Sequence, residues 1–544
     1  MESNQLNSPK VFLRKGQDEN TKFQASNEAK TLNPVFDDLN NPATILNHIE
    51  ELKSKSEATP HAEILNQLIE QLEPLDFELL AFKEVGELRE QLKNTAPGSE
   101  QAQDIRKQLD KIKVNTKHYR ILSIKNVSKT ATKNRWGLCK NHDFIYLYNR
   151  TFWAELDKDE FQKFLGEAAE KMGVRWDNAQ DYQFREQLFK QFLATEYLSN
   201  PQGDNNKVLI NLQNGTFEIS PQGTNLRPFD RSDFITYQLP FEYNPQATAP
   251  LFEAYLNKVL PDPERQRVLA EYLGFVFIKH GSNALKEEKA LILYGTGANG
   301  KSVFFEVVNA LLGTDNVSSY SLQSLTNDNG YFRAKLANKL VNYASEINGN
   351  LEASIFKQLV SGEPVEARLP YGQPFILKQY AKLIFNCNEL PKDVEHTNAY
   401  FRRFLIIPFD VTIPPHEQDK NLHTKIIEKE LSGVFNWVLK GLNRLLEQKK
   451  FSDCEAAQQA VEQYKIESNS VQMFLNENEY KGSSINYKLI KDLYPEYRAF
   501  CNDDGTIPFK KTNFIKQLRA LNFVVDRVSQ NQLAVFIEAL GRSF

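Results

Sequence analysis

The chain has little with which to build a covalent scaffold. Its four cysteines, Cys139, Cys387, Cys454 and Cys501, are scattered through 544 residues without paired spacing, which excludes a disulfide-stapled secreted domain. Cys139-Lys140-Asn141-His142 is half of a zinc pattern with no second half beside it, so no metal centre of the structural type is expected. Long apolar runs are missing too. The longest, such as Tyr272 to Ile278, fall far short of the ~20 residues of a membrane-spanning helix, and "MESNQLNSPKVFLRKG" lacks a secretory core. These absences lead us to expect a soluble, cytoplasmic protein with no membrane partner. An excess of charge is also lacking: 66 Lys and Arg against 70 Asp and Glu leave a net charge of -4. Any contact with nucleic acid must therefore come from local basic patches.

Hydrophobic residues make up 41% and charged residues 25%, ordinary proportions for a globular chain too long for one core. Six segments follow from the changes in pattern. Residues 1–40 are rich in Asn, Ser and Lys, the composition of a disordered tail. Residues 41–115 carry Leu and Ile at helical spacing, interrupted by "ATPH" and "TAPGS", and form a helical N-terminal module suited to packing or to a protein partner. Residues 116–285 form an α+β domain. In it "YRILSIKN" and "DFIYLYNRTFWAEL" read as strands, the second folded at Asn149-Arg150, and "KVLINLQNGTFEIS" as a hairpin turning at Asn214-Gly215. In residues 286–410 short apolar strands alternate with helices, the signature of a mainly parallel sheet. A helical extension, 411–465, leads into a C-terminal unit, 466–544, with two helical patterns and a final strand pair.

The chemistry concentrates in the fourth segment. Gly295-Thr296-Gly297-Ala298-Asn299-Gly300-Lys301-Ser302 matches GxxxxGK[ST] in full, which composition alone would produce in about one such chain in a hundred. An apolar strand precedes it and an amphipathic helix follows. The glycines let backbone N–H groups converge on phosphate oxygens while the helix turns its positive end toward the same anion. Lys301 is placed for the β and γ phosphates of ATP and Ser302 for Mg²⁺. An acid on a second strand is then needed for the metal's shell and the attacking water. "KLVNYASEIN" offers Glu346 at a strand's carboxyl end, where ligands of such sheets collect. "AKLIFNCNELP" ends with two asparagines, of which Asn388, ahead of Asn386, is the candidate to orient phosphate and water. "NAYFRRFLIIPF" places Arg402 and Arg403 just before another strand. A guanidinium offered to a neighbour's γ-phosphate is worth several powers of ten in rate.

With these elements in order, the chain resembles the superfamily three helicases, in particular the poxvirus-type and phage or plasmid primase-helicase branch. "GTGANGKS", the Glu of "NYASEI", "FKQLVSGEPVEARLPYGQPF", "FNCNELP" and "AYFRRFLIIPF" look like that branch's Walker A, Walker B, B-prime, sensor and arginine motifs. The similarity extends over roughly residues 116–544. It implies an α/β P-loop NTPase core of AAA+-like fold, a homo-hexameric ring and ATP-driven movement along single-stranded DNA in replication of a virus, phage or mobile element. Two departures stand out. Ser345 precedes Glu346 where many members carry adjacent acids, and no primase is recognisable: Asp157-Lys158-Asp159 sits where a helix begins and reads as capping acids. Two other classes fit the loop, a nucleotide-gated scaffold or remodelling ATPase and a P-loop phosphotransferase.

Nucleic acid needs its own surface. "VEARLPYGQPFILKQY" reads as a hairpin whose Arg368, Tyr371 and Lys378 offer phosphate attraction and a stacking face. At the C-terminus "PFKKTNFIKQLRALNF" is helical, with Phe514, Leu518 and Leu521 on one face. Lys510, Lys511, Lys516 and Arg519 lie toward another, so this unit looks like a winged helix that could meet duplex DNA.

Overall fold

The computed structural model describes residues 59–141, 144–196, 205–345, 347, 351–370, 372–391 and 394–539. The proposed tail, 1–40, and the start of the helical module to residue 58 lie outside the described residues. Helices α1 (His61–Gln71), α2 (Glu84–Asn94) and α3 (Glu100–Lys111) follow the leucine and isoleucine spacing. Ile64, Leu65 and Leu68 turn inward from α1.

The next stretch corrects a sequence expectation. Tyr119 to Asn126, read above as a strand, lies inside helix α4 (Thr116–Lys133). Its buried residues, Ser123, Ile124, Val127 and Ala131, recur every three or four positions, and Asn115 and His118 form a reciprocal capping box at its start. A helix start signal plus the longer period outweigh a short alternation.

Strands β1 (Gly137–Asn141), β2 (Phe144–Tyr148) and β3 (Trp153–Leu156) form an antiparallel meander. Tyr148 faces Trp153 across a turn in which Arg150 takes φ 81° and Asn149 accepts from the amides of Thr151 and Phe152, each at 3.0 Å. Helices α5 (Lys158–Lys171) and α6 (Tyr182–Thr195) follow. Asp157 caps α5 by accepting from the amides of Asp159 and Glu160, a purely structural use of that acidic pair. A second meander comprises β4 (Val208–Leu212), β5 (Gly215–Ser220) and β6 (Gly223–Arg227). Its first turn is Gln213-Asn214, one residue earlier than expected, because Leu212 pairs with Gly215. Asn214 is drawn inside instead, clasping the backbone of Tyr243 with two hydrogen bonds of 2.9 Å.

Helices α7 (Pro250–Val259) and α8 (Pro263–Phe275) lead to a five-stranded sheet of order β13-β7-β12-β9-β8. Its members are β7 (Ala290–Tyr294), β8 (Val317–Ser318), β9 (Val341–Ala344), β12 (Lys382–Cys387) and β13 (Phe404–Pro408), and every pairing is parallel. Leu291, Ile292 and Leu293 are wholly buried, as expected for a sheet covered on both faces. Helices α9 (Lys301–Leu312) and α10 (Ala353–Ser361) make the crossovers, and β10 (Val365–Arg368) with β11 (Pro374–Leu377) form a separate antiparallel hairpin. The protein is thus a mixed α/β structure around a parallel sheet.

The long helix α11 (Leu422–Gln448) ties the sheet to the upstream domain. It crosses α8 so closely that a side chain at Gly274 would sit 2.6 Å from the Cβ of Leu442. Glu271, fully buried in α8, pairs with Arg444 at 2.6 Å, and Glu430 accepts from the amides of Leu251 and Phe252 at 3.0 and 2.9 Å. The second contact puts a carboxylate on the positive end of α7 and so fixes that helix. After α12 (Glu455–Ser468) come α13 (Ser470–Glu477), α14 (Ile490–Asp503) and α15 (Lys511–Ala520) with short strands β14 (Tyr480–Gly482), β15 (Lys488–Leu489), β16 (Val525–Val528), β17 (Gln532–Val535) and β18 (Ile537–Ala539). They enclose their own core of Phe474, Leu493, Tyr497, Phe514 and Leu518. Among the described residues no helix is long and apolar enough to cross a membrane.

Candidate active site

Because β7, β12 and β9 run parallel, whatever leaves their carboxyl ends gathers along one edge of the sheet. From β7 comes the loop 295–300, from β12 Asn388, and from β9 Ser345; Glu346 lies outside the described residues. The loop turns through positive φ at three positions, two of them glycines, which take it without steric cost. Gly295, Ala298 and Gly300 take φ of 154°, 60° and 88°. A side chain at Gly295 would overlap the Phe409 carbonyl, and one at Gly300 would lie 2.7 Å from Val259 Cγ1, whereas a Cβ at Gly297 meets nothing within 4 Å.

Three neighbours hold the loop. The buried Asn299 donates to Phe409 O at 2.9 Å, the Ile413 amide donates to Ala298 O at 2.8 Å, and the Tyr255 hydroxyl of α7 donates to Gly300 O at 2.9 Å. Helix α9 then begins with no side-chain cap and no acidic residue in its first turn. The nearest substitute is a 3.5 Å contact between the Lys301 amide and Asn299 Oδ1. The helix start is thus uncapped beneath an exposed loop, with Thr296, Gly297, Ala298 and Ser302 facing solvent, and its first amides are left without side-chain acceptors of the usual capping kind.

Lys301 is 7% exposed. Its Nζ donates to Gly295 O, to Thr296 O and Asn299 Oδ1 at 3.3 Å each, and to Asn388 Oδ1 at 3.4 Å. Burial lowers its pKa below the ordinary lysine value. Burial also pushes the neighbouring Cys387 thiol up to about 12, which leaves it neutral and inert. Asn388 therefore shares the loop's space with Lys301. Asn386 does not: it is buried, accepting at 3.0 Å from the Tyr343 hydroxyl of β9.

The arginines stand at the other edge. Phe404 pairs with Ala290 at the amino end of β7, so Arg402 and Arg403 precede the sheet where the loop follows it. The five residues of β7 separate the two by about 16 Å at the usual strand rise. The pair also divides by environment. Arg403 is 7% exposed and fastened to Ser361 Oγ at 2.8 Å, to Ala399 O and to Glu288 at 3.2 Å. Arg402 keeps 59% of its side chain exposed, with Glu288 at 3.2 Å as its ion-pair partner.

On the hairpin, Val365, Ala367 and Leu377 are buried while Glu366, Arg368, Ile376 and Lys378 face out. Phe375 packs edge-on against Phe144 at 5.7 Å. Arg368 donates from Nε to Gly372 O at 2.9 Å, and Tyr371 lies outside the described residues. At the start of α15 and along it, Lys510, Lys511, Lys516 and Arg519 are exposed opposite the buried Phe514 and Leu518, while Gln517 is half-buried and accepts a 3.2 Å hydrogen bond from Asn469.

Sequence reasoning missed Tyr255 and Glu288. Tyr255 sits in an ordinary amphipathic pattern and Glu288 in the charged run "LKEEK", so neither carried a signal; only contacts across 45 and 114 positions reveal them.

Residues 125–261 match a family model described as D5 N terminal like, and residues 293–403 match one described as a family of unknown function (DUF5906). The first match ends with α7, which carries Tyr255, and the second runs from the strand beneath the loop to Arg403. "Putative helicase L207/L206" of Acanthamoeba polyphaga mimivirus is 26% identical over 239 residues, 42% of this chain and 24% of that protein. "Putative helicase 184R" of Invertebrate iridescent virus 6 is 24% identical over 367 residues, 58% of this chain and 37% of that one. The chain thus matches between a quarter and about two fifths of the length of these relatives. Among solved structures, the apo NrS-1 C-terminal region (305-718) aligns with a TM-score of 0.43 and 12% identity over 75% of this chain and 97% of that one.

Proposed function

We propose that this chain, which belongs to the D5-type family of viral and phage primase-helicases, is an ATP-driven translocase that works as a ring on single-stranded DNA. A P-loop core of AAA+ type is the fold this reading requires. The observation that carries it is the division of the site between two edges of one sheet: a phosphate-type loop with Lys301 and Asn388 at one, and a half-free Arg402 about 16 Å away at the other. No side chain spans that gap. An arginine there can serve a phosphate only in a second copy, and copies joined head to tail close into a ring.

The residues present suit ATP with Mg²⁺. The uncapped start of α9 and the amides of the loop would take the phosphates, Lys301 would take the β and γ oxygens, and Ser302 with Glu346 would hold the metal. When bound, the metal neutralises charge developing on the phosphates. Asn388 orients the attacking water and senses the γ-phosphate from β12. Arg402 completes a neighbour's site, while Arg403 fixes the backbone from which Arg402 projects.

Arg368 and Lys378 give the hairpin a charged face for a sequence-tolerant strand, and Tyr371, read from the sequence alone, is our candidate to stack a base. On α15 the cations Lys510 and Lys511 sit at a helix start with no acid in the first turn, an arrangement unfavourable to the helix dipole unless an anion lies nearby; duplex phosphate is our candidate. The test is the rate of ATP hydrolysis with and without single-stranded DNA, together with particle mass in ATP plus DNA. Stimulation and a six-fold assembly are expected. A monomer that neither binds nor responds to DNA would refute the reading and favour a nucleotide-gated scaffold.

A further inference from the structure

Glu288 is the second residue before β7, and one of its oxygens, Oε2, lies 3.2 Å from Arg402 and 3.2 Å from Arg403. The two contacts differ in kind. Arg403 is locked on three sides, its guanidinium held by Ser361 Oγ at the end of α10 and by Ala399 O as well as by Glu288. Arg402 has 59% of its side chain exposed, and Glu288 is the partner that keeps it against its own subunit. An ion pair this open to water is weak, so a multiply charged phosphate can displace it. Arg403 would then keep Glu288 in place while Arg402 leaves. Lys289 fixes the backbone at this point by donating from Nζ to Arg402 O at 2.6 Å.

We infer that Glu288 is a positioning residue acting as an intrasubunit latch: it holds Arg402 folded back in a free protomer and surrenders it to the phosphates of the neighbouring copy as the ring closes. The inference rests on the shared-site reading above. It gives the adjacent arginines separate tasks, one moving and one anchoring, and it makes the latch oppose premature assembly. The sign is definite. Weakening the Glu288–Arg402 pair must favour association, whereas weakening a purely structural ion pair would oppose it or leave it unchanged.

The experiment follows assembly of the full chain by particle mass against protomer concentration, in ATP and single-stranded DNA, for wild type, Glu288→Gln, Arg402→Ala and the double variant. Glu288→Gln is expected to lower the half-assembly concentration by roughly 1.5- to 5-fold, the range an exposed pair can supply. In the Arg402→Ala background the same change should produce no shift, since nothing remains to be latched. An unmoved midpoint in the wild-type background, or an equal shift in both backgrounds, would overturn the latch, as would a lower melting temperature with no gain in assembly. Should Glu288→Gln fail to fold, Glu288→Asp keeps a negative charge near the buried Arg403 while lengthening both contacts; Arg403 retains Ser361 and Ala399, Arg402 has its ion pair weakened, and a shift of the same sign is expected. The parent reading fails differently. There the wild-type chain stays a single protomer in ATP and DNA and Arg402→Ala retains full turnover, whereas failure of the latch alone leaves assembly and the need for Arg402 intact.

Discussion

If Arg402 acts on another copy, Lys301→Ala and Arg402→Ala should each abolish turnover alone and rescue one another when mixed. The loop and the arginine lie at opposite ends of β7, about 16 Å apart along the strands, so no motion of one side chain brings them together within a protomer. Loss of an arginine supplied across an interface costs about 10³- to 10⁵-fold in rate. Arg402 has 59% of its side chain exposed, so its removal should change folding stability by no more than about 1 kcal/mol. A variant that folds normally yet hydrolyses ATP at a thousandth of the rate is therefore expected. In an equal mixture that exchanges freely, a seam is competent when the Arg402→Ala copy lends its loop and the Lys301→Ala copy lends its arginine. That combination arises at about a quarter of the seams in a randomly mixed ring, so recovery should approach a quarter of wild-type turnover. Steady-state hydrolysis against mixing ratio checks it, with a maximum at equal proportions. Full activity of Arg402→Ala alone, or a mixture no better than the sum of its parts, would refute the argument.

Other consequences can be tested separately. Tyr255→Phe removes the hydrogen bond that holds Gly300 O; at about 1 kcal/mol per neutral bond, KM for ATP should rise roughly five-fold with kcat little changed. Gly300→Ala, at φ 88° and crowded by Val259, should lower the melting temperature and weaken nucleotide binding, while Gly297→Ala, with nothing within 4 Å of its Cβ, should melt like wild type. Lys382 begins β12 with its Nζ 3.1 Å from His280 Nδ1 and 4.2 Å from the centre of the Phe275 ring, and burial draws its pKa down to about 7 from 10.5. Between those values the unfolded chain holds a proton that the folded chain has released, so stability should rise with pH across that window. Urea midpoints measured from pH 7 to 10 should show the slope, and Lys382→Met should flatten it while raising stability at pH 7.

The loop was legible because its information is local. A wholly apolar strand, glycines where positive φ is needed and an amphipathic helix occur in sequence from Leu291 to Gly313, and strand, loop and helix fold in that order in the structure. The hairpin's alternation was legible for the same reason. Where two local patterns competed, as in Tyr119 to Asn126, the short alternation misled, since burial every third or fourth residue shows only when α4 meets its neighbours. The turn at Gln213-Asn214 was misplaced by one residue because the side chain of Asn214 answers to Tyr243, a distant backbone that no local pattern reports.

By itself the sequence determined where a glycine loop joins strand to helix and which strands would lie buried, because glycine geometry and apolar periodicity act over a few positions. Only the tertiary structure decided that Asn388 and not Asn386 meets Lys301, that Tyr255 braces the loop, and that Arg402 is half free while Arg403 is locked. Those outcomes depend on the parallel order of five strands and on contacts between residues up to 114 positions apart. Proximity of that kind is created when elements pack, and no spacing along the chain encodes it.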